Sequence, residues 1–250
     1  MELWDSDLHR AVVLLRDAAE DPSGECLPQA LLDGLGELVP GMYTSWSELD
    51  YLAHKDLAFQ ASTGSGDLGD DPASFWEMYG DFAPCQYLYG GDAVRNDVVT
   101  WSDFSPDHVF FASRVYKEAF EPYGEKYVVY TPLPTAPGRT RVVIMARDDR
   151  DFTTSERDLL TLLQPHLLQA YRQHQRRRAG VPPLTTRQWD ILRCLAAGQP
   201  TAEIAQTLFV TQATVRKHLE NIYGRLGVTS RGAALARTCD IRPDDAMAGA

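Results

Sequence analysis

Positive charge is scarce in this chain: 24 Lys and Arg stand against 35 Asp and Glu, a formal net charge of −11. An acidic chain repels polyanions, so any contact with nucleic acid must be confined to a local basic stretch. Cysteine is also scarce. Cys26, Cys85, Cys194 and Cys239 are widely spaced, and no Cys-x-x-Cys occurs. That excludes a disulfide scaffold and a thiolate zinc site; the pattern reads as reduced, packed thiols, with little to support a redox role for Cys26 or Cys85. There is no apolar run of the roughly 20 residues that a spanning helix needs. The opening Met1-Glu2-Leu3-Trp4-Asp5 lacks a leader pattern, so the expected setting is the cytoplasm. His54, His108 and His166 have no metal-ligand spacing. Neither a Ser/His/Asp arrangement nor a phosphate-cradling Gly-rich loop can be argued; Thr63-Gly64-Ser65-Gly66 reads as a plain loop. No metal, cofactor or enzymatic activity is expected.

The charge is unevenly divided. Residues 184–237 hold seven Lys and Arg against three acids, a balance of +4, and residues 238–250 carry −2. Residues 1–183 are left with −13. This is a basic module on an acidic body.

Within the basic module, Thr185 followed by Gln188 has the form of a capping box. Trp189, Ile191, Leu192 and Leu195 give one apolar face, and Gly198 should end that helix. Pro200 suits the first turn of a second helix, with Ile204, Ala205 and Leu208 buried. Thr211 is a plausible N-cap for a third. Val215, Leu219, Ile222 and Leu226 recur at helical spacing. They leave Thr214, Arg216, Lys217, His218, Glu220 and Asn221 on or near the open side. Gly227 should end this helix, and Ala233–Leu235 suggest a fourth. Arg and Lys early in such a helix can donate to base edges, with Arg binding guanine in bidentate fashion. Hydroxyls and flanking cations such as Arg225 and Arg231 fix phosphates.

The whole pattern resembles the C-terminal DNA-binding domain of the LuxR family, also found in NarL/FixJ-type response regulators. The matches run in order from Leu184, Thr185 and Arg187 through Gly198, Glu203, Ile204 and Ala205. They continue through Thr214, Val215, His218, Leu219, Asn221, Ile222 and Tyr223 to Leu226, Gly227, Val228, Ser230 and Arg231. The resemblance implies an all-α, four-helix helix-turn-helix domain that contacts double-stranded DNA through Thr211, Thr214, Arg216, Lys217, His218, Asn221 and Arg231. Arg216 and Lys217 would touch bases, and Thr211, Thr214, His218 and Arg231 lie nearer the backbone. Three departures matter. Pro200-Thr201 replaces a Ser-Asn pair, which puts that helix cap in doubt. Arg216 stands where Lys is common, favouring bidentate contacts. Glu220 stands where some relatives carry a cation.

Upstream, helices are expected over 7–20, with Leu8, Val12, Leu15 and Ala19 on its apolar face, and over 27–39. A strand is expected over 42–51, a polar loop over 61–72, and helices over 74–82 and 107–120. Tyr127–Thr131 and Thr140–Ala146 read as an antiparallel hairpin. A long helix over 154–178 opens with a Thr153/Glu156 capping box, and Pro165 should kink it. Arg172–Arg178 reads as its linker to the basic module. Helices around a central antiparallel sheet give an α+β domain. The run Arg150–Tyr171 looks like the end of the GAF-like domain of many actinobacterial LuxR-type regulators. That likeness implies a GAF/PAS-like antiparallel sheet flanked by helices, a helical homodimer interface and a small-molecule pocket.

Domains are therefore expected at 1–178 (sensory and dimerisation), 179–183 (linker) and 184–250 (DNA-binding, with a short tail). Trp46, Tyr51, Trp76, Tyr79, Tyr87, Tyr89 and Trp101 are candidates to line a pocket, although large aromatics more often fill a core. The expected function is a dimeric transcriptional regulator reading an inverted repeat, with an unknown ligand upstream and RNA polymerase a further partner. The alternative is an acyl-homoserine-lactone receptor, faintly echoed by Trp76, Tyr79, Asp92 and Trp101. A receiver domain should open with an apolar strand, and this chain opens with a helix.

Overall fold

Five antiparallel strands form one sheet in the order β2-β1-β5-β4-β3: β1 (Tyr43–Asp50), β2 (Lys55–Ala61), β3 (Val99–Thr100), β4 (Tyr127–Leu133) and β5 (Arg139–Arg147). The computed structural model describes residues 5–65, 72–89, 95–136 and 138–239. It divides into two compact units, 1–174 and 175–250. The sheet belongs to the first unit, and the fold class is α+β.

Period-two alternation gives the sheet two buried faces. Trp46, Val129, Leu133, Val143 and Met145 face α1 (Asp5–Glu20), α2 (Gln29–Leu38) and α7 (Thr154–Arg178). Val99, Val128, Tyr130, Val142 and Ala146 face a second core. Its helices are α3 (Pro72–Met78), α4 (Ala83–Tyr89), α5 (Asp107–Phe110) and α6 (Arg114–Ala119). β5 is central, with Ser47 opposite Val142 on β1 and Tyr130 opposite Ile144 on β4.

Several expectations change here. On α1, Leu8, Val12 and Ala19 are exposed; Ala11 and Ala18 are buried, with Leu14 and Leu15 packed beside them. The reason is close helix approach. A Cβ on Gly34 of α2 would lie 2.2 Å from Leu14 Cδ1, so small residues line this contact and the larger stripe turns outward. The single helix expected over 107–120 is broken, and Ser113 restarts it by accepting from the Tyr116 N–H. The helix expected over 74–82 ends at Met78 and continues as one 3₁₀ turn, Tyr79–Asp81. β2, α4 and β3 had no clear sequence signal. Half of the loop expected over 61–72, residues 66–71, lies outside the described residues.

The long helix stands. Thr153 and Glu156 make the expected reciprocal cap, with Thr153 N donating to Glu156 at 2.8 Å and Glu156 N donating to Thr153 Oγ1 at 3.3 Å. Pro165 lies inside a helix that continues to Arg178. Arg172–Arg178, expected within this helix and as the link to the basic module, is helical. Its chain has the side-chain length and charge to stay helical in the last turn, where cations favour the C-terminal dipole.

In the second unit, α8 (Thr186–Ala196), α9 (Thr201–Thr207), α10 (Gln212–Leu226) and α11 (Arg231–Cys239) surround Ile191, Leu192, Leu195, Ile204, Val215, Ile222 and Leu226. This all-α bundle matches the expected four helices. Pro200 sits one position earlier than expected: it is the N-cap of α9, in extended conformation, and offers no side-chain cap.

Candidate nucleic-acid interface

The second unit orients α10 through local hydrogen bonds. Thr185 Oγ1 accepts from Gln188 N at 3.3 Å, and Gln188 Oε1 accepts from Thr185 N at 2.9 Å, fixing the start of α8. Arg187 donates to the Leu208 carbonyl, which anchors the turn before α10. Thr211 Oγ1 accepts from Thr214 N at 3.1 Å and caps α10. Gly227, at φ +65°, closes its far end in the left-handed conformation.

This frame leaves a polar face open. Arg216, Lys217, Glu220 and Asn221 are exposed, and Thr214 and His218 are half-buried. Lys217 Nζ lies 3.4 Å from Glu220 Oε2, an exposed pair one turn apart. Such pairs contribute about 0–1 kcal/mol, so Lys217 is easily released to a phosphate or base. Thr211 is occupied twice: its hydroxyl also lies 2.9 Å from that of Thr214. Arg231 does not point away from the bundle. Its Nη2 lies 3.0 Å from both the Leu195 and Gln199 carbonyls, where it satisfies the end of α8. Any phosphate contact must use its remaining donors. Arg225 likewise reaches the Pro183 carbonyl at 2.8 Å. Neither of these tethers carries a sequence signal, because the carbonyls belong to residues 32 to 42 positions away.

Among the described residues of the first unit, the aromatic pocket candidates divide between its two cores. Trp46 faces α7, where it stacks on Tyr171 with ring centroids 4.9 Å apart. Trp101 is on the opposite face, stacked on Phe110 at 4.1 Å, and its indole N–H donates to the Lys126 carbonyl at 2.9 Å. Both are core residues. Tyr51 Oη accepts from Gly138 N at 3.0 Å and pins the β4–β5 turn. Trp76 stacks on His54 at 5.2 Å and touches Tyr79. Two of the candidates keep a buried polar atom with no partner among the described residues, the Trp46 indole N–H and the Tyr79 hydroxyl. Burial, with Cys85 next to it, raises the pKa of Tyr79. A cleft of about 520 Å³ is lined by one of the aromatic candidates, Tyr87, with Asp97, Val99, Asp103, Phe104 and Arg157 among others. Asp92 and the side chain of Tyr89 lie outside the described residues. Burial pushes the Cys85 thiol up to about 12, which removes the thiolate that redox sensing requires.

Buried charge elsewhere in this unit is paired. Arg141 Nε is 3.8 Å from Glu48 Oε2, and the Arg141 guanidinium lies 4.6 Å from the Tyr171 ring centroid. Glu156 accepts from Arg150, the Thr153 N–H and Arg147. Burial pushes its carboxyl up, but these bonds outweigh that and hold it at about 2. Glu125 takes the opposite course. Burial raises it to about 7 against one opposing bond, from Tyr43 Oη at 2.8 Å.

Residues 182–237 match a family described as bacterial regulatory proteins, luxR family. A 66-residue stretch is 38% identical to the transcriptional regulatory protein MctR of Rhizobium johnstonii, covering 26% of this chain and 31% of that protein. Over 62 residues it is 39% identical to the probable transcriptional regulatory protein NarL of Mycobacterium tuberculosis, covering 25% and 29%. The match thus spans less than a third of these curated relatives. Among solved structures, SdiA in complex with octanoyl-rac-glycerol aligns over 96% of this chain and 98% of its own, at 19% identity and TM-score 0.44. The VqsR LBD domain from Pseudomonas aeruginosa aligns over 67% and 95%, at 16% identity and TM-score 0.48. The stretch from 182 to 237 thus combines four helices and their caps with a match to the luxR family of bacterial regulatory proteins.

Proposed function

We propose that the chain is a sequence-specific DNA-binding transcriptional regulator, a homodimer that reads an inverted repeat and is controlled through its N-terminal domain. The observation that carries this reading is the open face of α10. Arg216 and Lys217 stand side by side in solvent on a Thr211-capped helix, within the basic stretch of an acidic chain. Arg216 reads a guanine edge and Lys217 a base or phosphate. Thr214, His218 and Asn221 set the register on the backbone, together with Thr211 and the remaining donors of Arg231. A twofold dimer then matches two half-sites about one helical turn apart.

The working division is a GAF-like sensory and dimerisation domain at 1–178, a linker at 179–183 and the DNA-binding domain with its tail at 184–250. A small molecule is the expected input. The 520 Å³ cleft falls within the range of ligand sites. A ligand acts there by binding one arrangement of the dimer better than another. RNA polymerase is the expected downstream partner, in the cytoplasm.

The test uses duplexes selected by the full-length protein from a randomised library. Arg216→Ala with Lys217→Ala should lower affinity by about 100-fold, from two base contacts of about 1–3 kcal/mol each. Unchanged affinity overturns the reading. Sedimentation as a monomer at high concentration removes the homodimer. Native mass spectrometry of the purified chain shows whether a molecule is retained, and an acylated lactone would favour the quorum-sensing alternative.

A further inference from the structure

Four helix ends within the second unit carry a left-handed residue. After α7, α8 and α10 that residue is Gly180, Gly198 and Gly227, at φ +64°, +81° and +65°. After α9 it is Phe209, at φ +54°. Its N–H donates to the Gln206 carbonyl at 3.1 Å, and the next N–H, from Val210, reaches back to Ala205 at 2.9 Å. This paired closure favours glycine, because a Cβ crowds the backbone there. Phenylalanine is therefore held in a conformation that the turn itself does not want.

The ring gains nothing from the fold in return. Phe209 is 95% exposed, while its neighbours Leu208 and Val210 pack against the core. It is the one large apolar side chain exposed among the described residues of this unit. It also stands two positions before Thr211, the cap of α10. The aromatic ring thus leaves the chain at the end of α10 that presents free N–H groups, Arg216 and Lys217.

We propose that Phe209 is a DNA contact, its ring packing against a thymine methyl group at the edge of the site read by α10. Thymine alone places a methyl in the major groove, and apolar side chains including Phe recognise it. This assignment rests on the DNA-binding reading of α10, but it adds a specificity-determining residue that carries no charge.

The experiment uses the full-length protein and the library-selected duplexes, with Phe209→Asn and Phe209→Gly. Both residues accept the left-handed conformation. The midpoint of thermal unfolding should hold or rise, while affinity falls about tenfold, as for loss of one base contact. Replacing thymine by uracil in the duplex should weaken the wild type by a similar factor and leave the variants unaffected, since the methyl is already without its partner. Equal binding by wild type and variants overturns the inference. So does a loss that is undiminished on uracil duplexes, or transcription that falls while DNA affinity holds, which would assign the ring to RNA polymerase. If Arg216→Ala with Lys217→Ala binds normally, the DNA-binding reading itself has failed, and that outcome is separate from these.

Discussion

In the first unit Arg141 and Arg147 are each 2% exposed and lie against Glu48 and Glu156. In the second, Arg216 and Lys217 stand in solvent, and Lys217 lies beside the similarly exposed Glu220. The first arrangement satisfies charge inside the fold. A buried cation there is tied to one carboxylate and one aromatic ring, so it is unavailable to a partner. The second keeps charge unsatisfied, where a polyanion can complete it. The same residue type, arginine, is buried architecture in the first unit and, at Arg216 on the proposed reading, a DNA contact in the second.

The largest effect expected from disturbing this contrast is on the buried side. Arg141→Ala removes a buried cation 3.8 Å from the buried Glu48 carboxylate and should cost about 3–5 kcal/mol of stability, measured by urea unfolding. Arg216→Ala with Lys217→Ala should leave the same unfolding curve unmoved. If the two variants destabilise equally, the contrast is broken.

Two carboxylates sharpen it through pH. Glu156 is held at about 2 when folded, below its ordinary 4.5, so its stabilisation is present above pH 4.5 and disappears as pH falls toward 2. Glu156→Gln should lose about 2 kcal/mol at neutral pH and converge on the wild type in acid. Glu125 is raised from 4.5 to about 7, so its contribution has the reverse sign: it is present below pH 4.5 and lost as pH rises through 7. Glu125→Gln keeps an acceptor for Tyr43 Oη and should be more stable than the wild type above pH 7, by about 2 kcal/mol. Unfolding midpoints across pH check both signs. The smallest effect belongs to the surface. Glu220→Gln removes one anion and frees Lys217, so affinity for DNA should rise about threefold without a change in stability, and with a steeper dependence on salt.

The second unit was legible because its signals are local. Thr185 with Gln188, Thr211 with Thr214, and Gly198 and Gly227 each act within one turn of a helix, and they bound α8 and α10. Pro200 missed by one position because cap and first turn differ by a single residue. In the first unit the deciding partners are distant. Gln60 Oε1 accepts from the N–H groups of Cys26 and Leu27, over 30 residues away, and nothing in Lys55–Ala61 announces that pairing. The α1 face was misjudged because Gly34, on another helix, decides how closely it packs. Trp46 and Trp101 look equivalent in sequence, but Trp46 lies within β1 and Trp101 opens a 3₁₀ turn just after β3, and the two enter different cores.

That separation has an optical consequence. Trp46 lies in the core under α7, Trp101 in the core across the sheet, and Trp189 packs at the core of the helix-turn-helix unit, with the Arg176 guanidinium 3.7 Å from its ring centroid. Each of the three cores thus carries its own fluorophore. Chains that keep one of these indoles, with the rest replaced by phenylalanine, would reveal by emission alone which core loosens first on heating.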